Sequence, residues 1–327
     1  MTAADGMVDD RTAGQQPLDI AVGVLIGRDG RLLIAQRREG TPGAGCWEFP
    51  GGKHEPPEAM HDCLARELAE EIGVENLQAR PVIRFSHAHG ERPVRLHVWR
   101  IDHWSGEPTG REGQTLRWVE RKALADYELL PATDAIIKAL FLPARYAITP
   151  SRAAADPGQW FAALERCLAG GIRLLRLRDQ GLDDTAYAAL ATDVIVAARA
   201  YGAVVLLDRD AEMCRAVGAD GLHWPVGRLL EAGARPLGRE HLVAVSAHTS
   251  FDLAAAVRLE ADFAVLSPVA ATPTHPGAPG MGWEAWRVAR GDHALPVYAL
   301  GGLDEADLDT AIEQGAQGVA AIRAFWR

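Results

Sequence analysis

The N-terminal part of the chain alternates short apolar runs with turn residues. Two apolar runs, at residues 20–26 and 32–37, flank the turn sequence GRDG and predict a β-hairpin. From Pro57 to Ile72 the apolar spacing is helical, with proline near the start and Gly73 just after the end. Later segments predict strands at residues 94–104 and 115–120 and a helix at residues 132–140.

Beyond Pro143 the pattern changes to short apolar runs separated by alanine-rich helical stretches. Eight such runs are present, at residues 145–150, 172–179, 203–210, 221–224, 242–248, 263–269, 295–302 and 318–323. This alternation predicts an α/β fold and favours a (β/α)₈ barrel, although a doubly wound open sheet has the same pattern. We therefore expect a flexible tail at 1–16, a first domain at 17–142 and a second domain at 143–327.

Composition narrows the function without identifying it. The 327 residues suffice for two domains, and the hydrophobic content of 48% is that of an ordinary globular chain. With 34 Lys and Arg against 44 Asp and Glu, the formal charge is −10. We expect no direct nucleic-acid or membrane binding, so an anionic substrate must be held locally or through metal ions. Four scattered cysteines and no signal sequence or apolar span favour the cytoplasm.

Three carboxylates carry the strongest chemical signal in the first domain. Glu67, Glu70 and Glu71 are spaced i, i+3 and i+4, so they share one helical face and repel one another. Hard divalent cations with oxygen ligands relieve that repulsion, which indicates Mg²⁺ or Mn²⁺. Arg66, four residues before Glu70, is placed to orient these carboxylates.

The segment 52–74 reads G-x5-E-x7-R-E-L-x-E-E-x-G-V and matches every fixed position of the Nudix box. Together with the sequences WEFPGGK and SGEPTGREGQ, it makes residues 18–140 similar to the MutT-type 8-oxo-dGTP pyrophosphohydrolases. The resemblance implies a Nudix α/β/α sandwich. It also implies metal-assisted hydrolysis of a nucleoside triphosphate to the monophosphate and pyrophosphate.

The same resemblance implies the roles of individual residues. Its expected metal ligands are Gly51, Gly52, Glu67, Glu70, Glu71 and Glu112. Arg66 joins the four glutamates as catalytic, and either Glu67 or Glu112 is the general base. The expected substrate-binding residues are Arg38, Glu48, Phe49, Pro50, Gly51, Lys53, Arg92, Thr133 and Asp134. Thr133 stands where MutT-like enzymes place a base-reading Asn, and Asp134 is the candidate substitute.

The second domain, residues 145–325, resembles thiamine-phosphate synthase and its thiazole-tautomerase relative, both of which are barrels. The resemblance is carried by YAIT, LRLRD, LLDR, ADGLH, VSAHT, SPVAATPTH, ALGG and GVAAIRA, in that order. It implies a ligand site formed by Arg178, Asp208, Ser246, Thr272, Thr274, Gly301 and Arg323. We expect His223 and His248 to be structural, or to support neighbouring site residues, rather than to be catalytic.

Several positions of the barrel depart from the synthase pattern. Arg228 stands where the synthase has its second metal-binding aspartate, and a cation there repels Mg²⁺. Family residues are also replaced by Leu207, Gln180, His275 and Arg323. We therefore expect a barrel that is degenerate as a synthase, in which Arg228 and Arg323 still hold a phosphate.

Three functions follow from these patterns. The first is a Mg²⁺-dependent hydrolase of oxidised purine nucleotides such as 8-oxo-dGTP, which serves nucleotide sanitation and DNA repair. The second is a hydrolase of thiamine-related diphosphates. In the third, the barrel senses a thiamine-related phosphate ligand and regulates the hydrolase.

Overall fold

The computed structural model describes residues 17–89, 92–153, 155–271 and 279–326. The chain divides into two compact units, the first ending at Leu140 and the second starting at Phe141. The predicted tail at 1–16 lies outside the described residues. Among the helices described, none combines the length and the apolar character needed to cross a bilayer.

The first unit contains two sheets and two α-helices. Its strands are β1 (Leu18–Leu25), β2 (Leu32–Gln36), β3 (Trp47–Glu48), β4 (Gly51–Lys53), β5 (Glu75–His89), β6 (Arg92–Ser105) and β7 (Leu116–Val119). The helices are α1 (Met60–Ile72) and α2 (Thr133–Phe141), with a 3₁₀ turn at Arg121–Asp126. One sheet has the order β4-β1-β6-β5 and the other β3-β2-β7. Among the strand pairs of this unit that the structure describes, β1–β6 is parallel and the others are antiparallel.

Helix α1 lies on strand β1 through its apolar face. Cys63, Leu64 and Leu68 are fully buried there. Gly23 in β1 makes the close approach feasible, because a Cβ at this position would lie 2.7 Å from Cδ1 of Leu68. Glu67 and Glu71 lie at the border of this buried face, where they meet the loop of Gly51 and Gly52.

The predicted hairpin at residues 20–37 is wrong. The turn forms, with the Gly27 N–H donating to the Arg31 carbonyl at 2.8 Å, but the two runs join different sheets. One isolated bridge, between Ile26 and Leu32, connects them. Strand β1 instead pairs with β4 and β6, and β2 pairs with β3 and β7, so the edges of both runs are taken by strands from elsewhere in the chain.

Two further expectations for this unit need correction. Helix α1 begins at Met60 rather than Pro57, because the Glu58 carboxylate accepts the Glu55 N–H at 2.9 Å and closes a turn ahead of the helix. The apolar pattern does not predict strand β5. It contains Pro81, which cannot donate to a ladder, and its pairing with β6 shifts register beside that residue.

The second unit is a closed barrel of eight parallel strands, which confirms the (β/α)₈ prediction and excludes the open sheet. Its strands are β8 (Arg145–Ile148), β9 (Leu174–Leu177), β10 (Val204–Leu207), β11 (Gly221–Pro225), β12 (Leu242–Ala247), β13 (Phe263–Leu266), β14 (Val297–Leu300) and β15 (Gly318–Ala321). Closure is made by β15 and β8, where Val319 pairs with Arg145.

Helices surround this barrel, and aromatic rings fill part of its interior. The helices are α3 (Pro157–Ala169), α4 (Asp184–Ala200), α5 (Ala211–Val217), α6 (Val226–Ala232), α7 (Ser250–Arg258), α8 (Gly282–Arg290) and α9 (Leu308–Glu313), with a 3₁₀ turn at Glu305–Asp307. Inside, the buried rings of Tyr146, Phe263 and Tyr298 contact one another at centroid distances of 5.3 to 5.5 Å. The interior is therefore packed, and a ligand must enter at the strand ends.

Candidate active sites

Arg66 of α1 ties together the acidic residues of the first unit. Its Nη1 donates to Glu67 at 2.9 Å and to Glu70 at 3.1 Å, while Nε and Nη2 donate to both oxygens of Glu58. Nη2 also donates to the Lys53 carbonyl at 3.1 Å. The hydrogen bonds from Arg66 lower the pKa of Glu58 to about 2. One guanidinium thus holds the start of the helix, two carboxylates and strand β4 in fixed relation.

Glu71 lies deepest of the three carboxylates. It accepts the Gly51 N–H at 3.1 Å, and burial together with the charges of Glu67, Glu112 and Glu48 raises its pKa to about 7. Burial also raises the pKa of Glu67. A carboxyl group whose pKa is raised by like charges lies where a cation is favourable.

The loop at Gly51 and Gly52 approaches these carboxylates closely. A Cβ at Gly52 would lie 2.1 Å from Oε2 of Glu67. A Cβ at Gly51 would lie 2.1 Å from the Ala21 carbonyl oxygen, and the φ of 147° at Gly51 is one that glycine tolerates best. Only glycine lets this backbone run beside the helix face.

A cavity of about 150 Å³ opens beside Glu71. It is lined by Ala35, Gln36, Arg37, Arg38, Thr41, Glu48, Pro50, Gly51, Glu71, Glu112 and Gln114. Arg38 pairs with Glu112 at 3.0 Å, and Arg37 donates to both oxygens of Glu48 at 2.7 and 2.8 Å. Of the predicted site residues, the structure thus brings Arg38, Glu48, Pro50, Gly51, Glu71 and Glu112 together around one cavity.

Other predicted substrate residues lie away from this cavity. Phe49 is buried with 4% of its surface exposed, and the Lys53 side chain faces solvent. Thr133 is buried at the start of α2, and Asp134 forms an ion pair with Lys138 at 3.0 Å. Neither Thr133 nor Asp134 lines the cavity.

The backbone of Arg92 belongs to β6, but its side chain is outside what the structure describes.

Sequence reasoning missed Arg37 and Gln114. The side chain of Gln114 donates to the Glu71 carbonyl at 3.0 Å and accepts the Glu112 N–H at 3.0 Å, so it connects the Glu112 loop to α1. The available signal was position, since Gln114 follows Glu112 by two residues and Arg37 immediately follows a buried strand.

The donor set suits a hard divalent cation. Within the described ranges, no three Asp, Glu, His or Cys side chains already converge as a metal-binding group, and Arg66 is the partner of Glu67 and Glu70. Yet the carboxylates of Glu67 and Glu112 lie close enough to Glu71 to raise its pKa, and the backbone of Gly52 passes beside Glu67. Clustered carboxylate and carbonyl oxygens are the ligands that Mg²⁺ and Mn²⁺ prefer.

The barrel has its own cavity, of about 630 Å³, at the carboxyl ends of its strands. Arg178, Ser246, Gly301 and Arg323 line it, as predicted, together with Arg176, which was not predicted. Gly301 has a φ of 115°, and a Cβ there would lie 2.8 Å from Cα of Pro268. Thr272, Thr274 and His275 lie outside the described residues.

Asp208, at the end of β10, does not line this cavity. Its Oδ1 accepts a hydrogen bond from Arg209 Nη1 at 3.1 Å, and Nη1 of Arg228 lies 3.5 Å from its carbonyl oxygen. The Arg228 guanidinium stacks over the Trp224 ring at 4.2 Å. Arg228 does not line this cavity, so the structure does not bring it together with Arg323 there.

A buried hydrogen-bond chain leads to the barrel cavity. The Tyr146 hydroxyl lies 2.8 Å from Nδ1 of His223, and Nε2 of His223 lies 2.8 Å from Oγ of Ser246. Burial raises the pKa of Tyr146, so its hydroxyl stays protonated. His223 is fully buried, in agreement with a structural role, and burial holds its pKa well below the usual range.

Comparison with known families agrees with this division. The family model of the NUDIX domain matches residues 21–139, and that of thiamine monophosphate synthase matches residues 145–325, more than half of the chain. The chain is a fusion of a Nudix domain and a thiamine monophosphate synthase domain.

Curated relatives exist for each half of the fusion. The Nudix domain is 36% identical over 118 residues to the CTP pyrophosphohydrolase of Escherichia coli, covering 36% of this chain and 87% of that protein. It is 37% identical over 123 residues to the 8-oxo-dGTP diphosphatase of Haemophilus influenzae, covering 38% and 90%.

The synthase domain is 31% identical over 184 residues to the putative thiamine-phosphate synthase 2 of Aquifex aeolicus, covering 56% of this chain and 98% of that protein. The chain spans about half of a longer relative, the thiamine-phosphate synthase of Thermosynechococcus vestitus, where 165 residues at 32% identity make up 46% of that protein.

Proposed function

We propose that the Nudix domain is a Mg²⁺- or Mn²⁺-dependent pyrophosphohydrolase that converts purine nucleoside triphosphates, 8-oxo-dGTP among them, to the monophosphate and pyrophosphate. The observation that supports it is the carboxylate face of α1 beside the Gly51 loop. Glu71 borders a cavity that also contains the guanidinium groups of Arg37 and Arg38. An anionic substrate in this acidic chain requires such local positive charge.

The residues of the chain divide the work. When bound to Glu67, Glu70, Glu71, Glu112 and the backbone of Gly51 and Gly52, the metal neutralises phosphate charge and makes a water molecule more acidic. Arg37 and Arg38 bind phosphate oxygens from the other side of the cavity.

Glu67 and Glu112 are the two candidates for the general base. Each forms an ion pair with an arginine, Glu67 with Arg66 at 2.9 Å and Glu112 with Arg38 at 3.0 Å, and burial raises the pKa of Glu67. Arg66 positions Glu67 through its 2.9 Å hydrogen bond.

The substrate of the Nudix domain is inferred from its relatives and from the residue at position 133. The two relatives are named for CTP and for 8-oxo-dGTP. Thr133 has a single hydroxyl in place of the base-reading amide, so we propose that 8-oxo-dGTP is preferred over dGTP by a modest factor. Comparing kcat/KM for 8-oxo-dGTP, dGTP, CTP and thiamine diphosphate tests this proposal. Highest activity on thiamine diphosphate would replace it with the second candidate, which the attached barrel favours.

We further propose that the barrel binds a thiamine-related phosphate without being an efficient synthase. The Asp208 carboxylate accepts a hydrogen bond from Arg209 and lies outside the cavity. The Arg228 guanidinium, a cation, contacts the Asp208 carbonyl oxygen. The cavity keeps Gly301, Gly302 and Arg323, which suit a phosphate group.

The four cysteines are free thiols, in keeping with a cytoplasmic protein.

A further inference from the structure

Arg176 places an uncompensated cation inside the barrel. It lies in β9 and lines the large cavity, and 9% of its surface is accessible to solvent. Its Nε is buried and has no hydrogen-bond partner among the residues that the structure describes. Nor does its guanidinium form an ion pair in those ranges. A buried guanidinium without acceptors is strongly unfavourable unless a ligand supplies them.

The neighbours of Arg176 increase the need for an anion. Arg178 lines the same cavity two residues further along, and its charge disfavours the charged form of Arg176. The fully buried His223 faces both arginines and remains neutral. Asp208 and the hydroxyls of Tyr146 and Tyr187 are the acidic groups that face Arg176 from other strands and helices. The Asp208 carboxylate already accepts from Arg209.

A second anion-binding region lies elsewhere around the same cavity. Gly301 and Gly302 follow β14, and Arg323 follows β15, whereas Arg176 is on β9. Strand β8 separates β15 from β9 in the barrel. Asp304 also lines the cavity, but its carboxylate accepts the Ala306 N–H at 2.8 Å. The cavity of about 630 Å³ is the size of ordinary small-molecule sites.

We infer that the barrel takes a small molecule with an anionic group at each of two ends. The outer group lies at Gly301, Gly302 and Arg323, and the inner group, a carboxylate or a second phosphate, is bound by Arg176 and Arg178 beside the Ser246 hydroxyl. Only the outer group rests on the proposed phosphate-binding function of the barrel. Arg176 is then the residue that selects doubly anionic ligands over singly anionic ones.

Calorimetric titration of the full chain in EDTA tests this inference. The probes are ω-phosphonocarboxylates of increasing length, each paired with the alkylphosphonate of the same length, and the matching bisphosphonates. In the wild type, we expect the phosphonocarboxylate or bisphosphonate of optimal length to bind about tenfold or more tightly than the alkylphosphonate of the same length. Whichever group tightens binding more identifies the inner anion.

Two variants localise the effect. In Arg176→Gln the gain from the second anionic group falls to about twofold or less; Arg176→Met serves if the first variant does not fold. In the matched control Arg323→Gln, both members of each pair weaken together. A wild type that binds paired probes equally, or a gain that survives in both Arg176 variants, overturns the inference. Failure of every alkylphosphonate to bind instead overturns the proposed phosphate site, and binding by no probe overturns both.

Discussion

Replacing Glu71 by Gln is expected to stabilise the metal-free Nudix domain while removing its activity. Burial and neighbouring carboxylates raise the Glu71 pKa from its ordinary 4.5 to about 7. The folded protein therefore holds a proton that the unfolded chain releases, and stability falls as the pH rises from about 4.5 through 7. The full displacement corresponds to about 3 kcal/mol at pH 8, an upper value for this partly accessible group. Gln retains an acceptor for the Gly51 N–H and has no charge to desolvate.

Thermal unfolding in EDTA at pH 4 and at pH 8 measures the effect. We expect Glu71→Gln to raise the Tm of the Nudix transition by up to about 10 °C at pH 8 and by almost nothing at pH 4, where both proteins are uncharged at this site. Under saturating Mg²⁺ the variant should keep less than about a tenth of wild-type kcat.

Glu70→Gln is the matched control for Glu71→Gln. The Glu70 side chain is 58% exposed, so its replacement should remove activity without the gain in stability. A Glu71→Gln protein that is no more stable than wild type at pH 8, or that retains more than about a tenth of kcat, would refute the reasoning.

Three further predictions concern substrate choice, the barrel and Arg66. Because Thr133 is buried and does not line the cavity beside Glu71, Thr133→Asn should change the kcat/KM preference for 8-oxo-dGTP over dGTP by about twofold or less; a change of about tenfold or more would place position 133 at the base. With both thiamine precursors and Mg²⁺, the protein should form thiamine phosphate far below about 1 s⁻¹, and turnover at that level would disprove the argument from Asp208 and Arg228. Arg66→Lys should lower kcat about tenfold or more at little change in KM, because one ammonium cannot hold Glu58 and Glu67 as the guanidinium does; unchanged kcat would show that Arg66 is dispensable.

What the sequence predicted well was set by local periodicity. The spacing of Glu67, Glu70 and Glu71 placed them on one helical face because helix geometry is the same in every protein. The alternation of strands and helices predicted the barrel for a similar reason, since right-handed crossovers leave few arrangements of eight parallel strands.

What failed depended on partners distant in sequence. The turn at residues 27–30 specified a chain reversal but not which strands β1 and β2 would join. Arg176 escaped notice because an arginine within an apolar run gives no sign of facing the barrel interior. The same applies to Arg37, whose contact with Glu48 joins residues eleven positions apart.

The chain of hydrogen bonds from Tyr146 through His223 to Ser246 also makes His223 a spectroscopic reporter inside the barrel. His223 is fully buried and both ring nitrogens contact hydroxyl groups, so exchange of its ring N–H proton with solvent requires a local movement of the barrel. Because Ser246 borders the cavity, a ligand that settles against its hydroxyl changes the environment of that proton. In a nuclear magnetic resonance spectrum, the exchange rate of the His223 ring N–H therefore reports local opening of the barrel, and its chemical shift reports ligand binding.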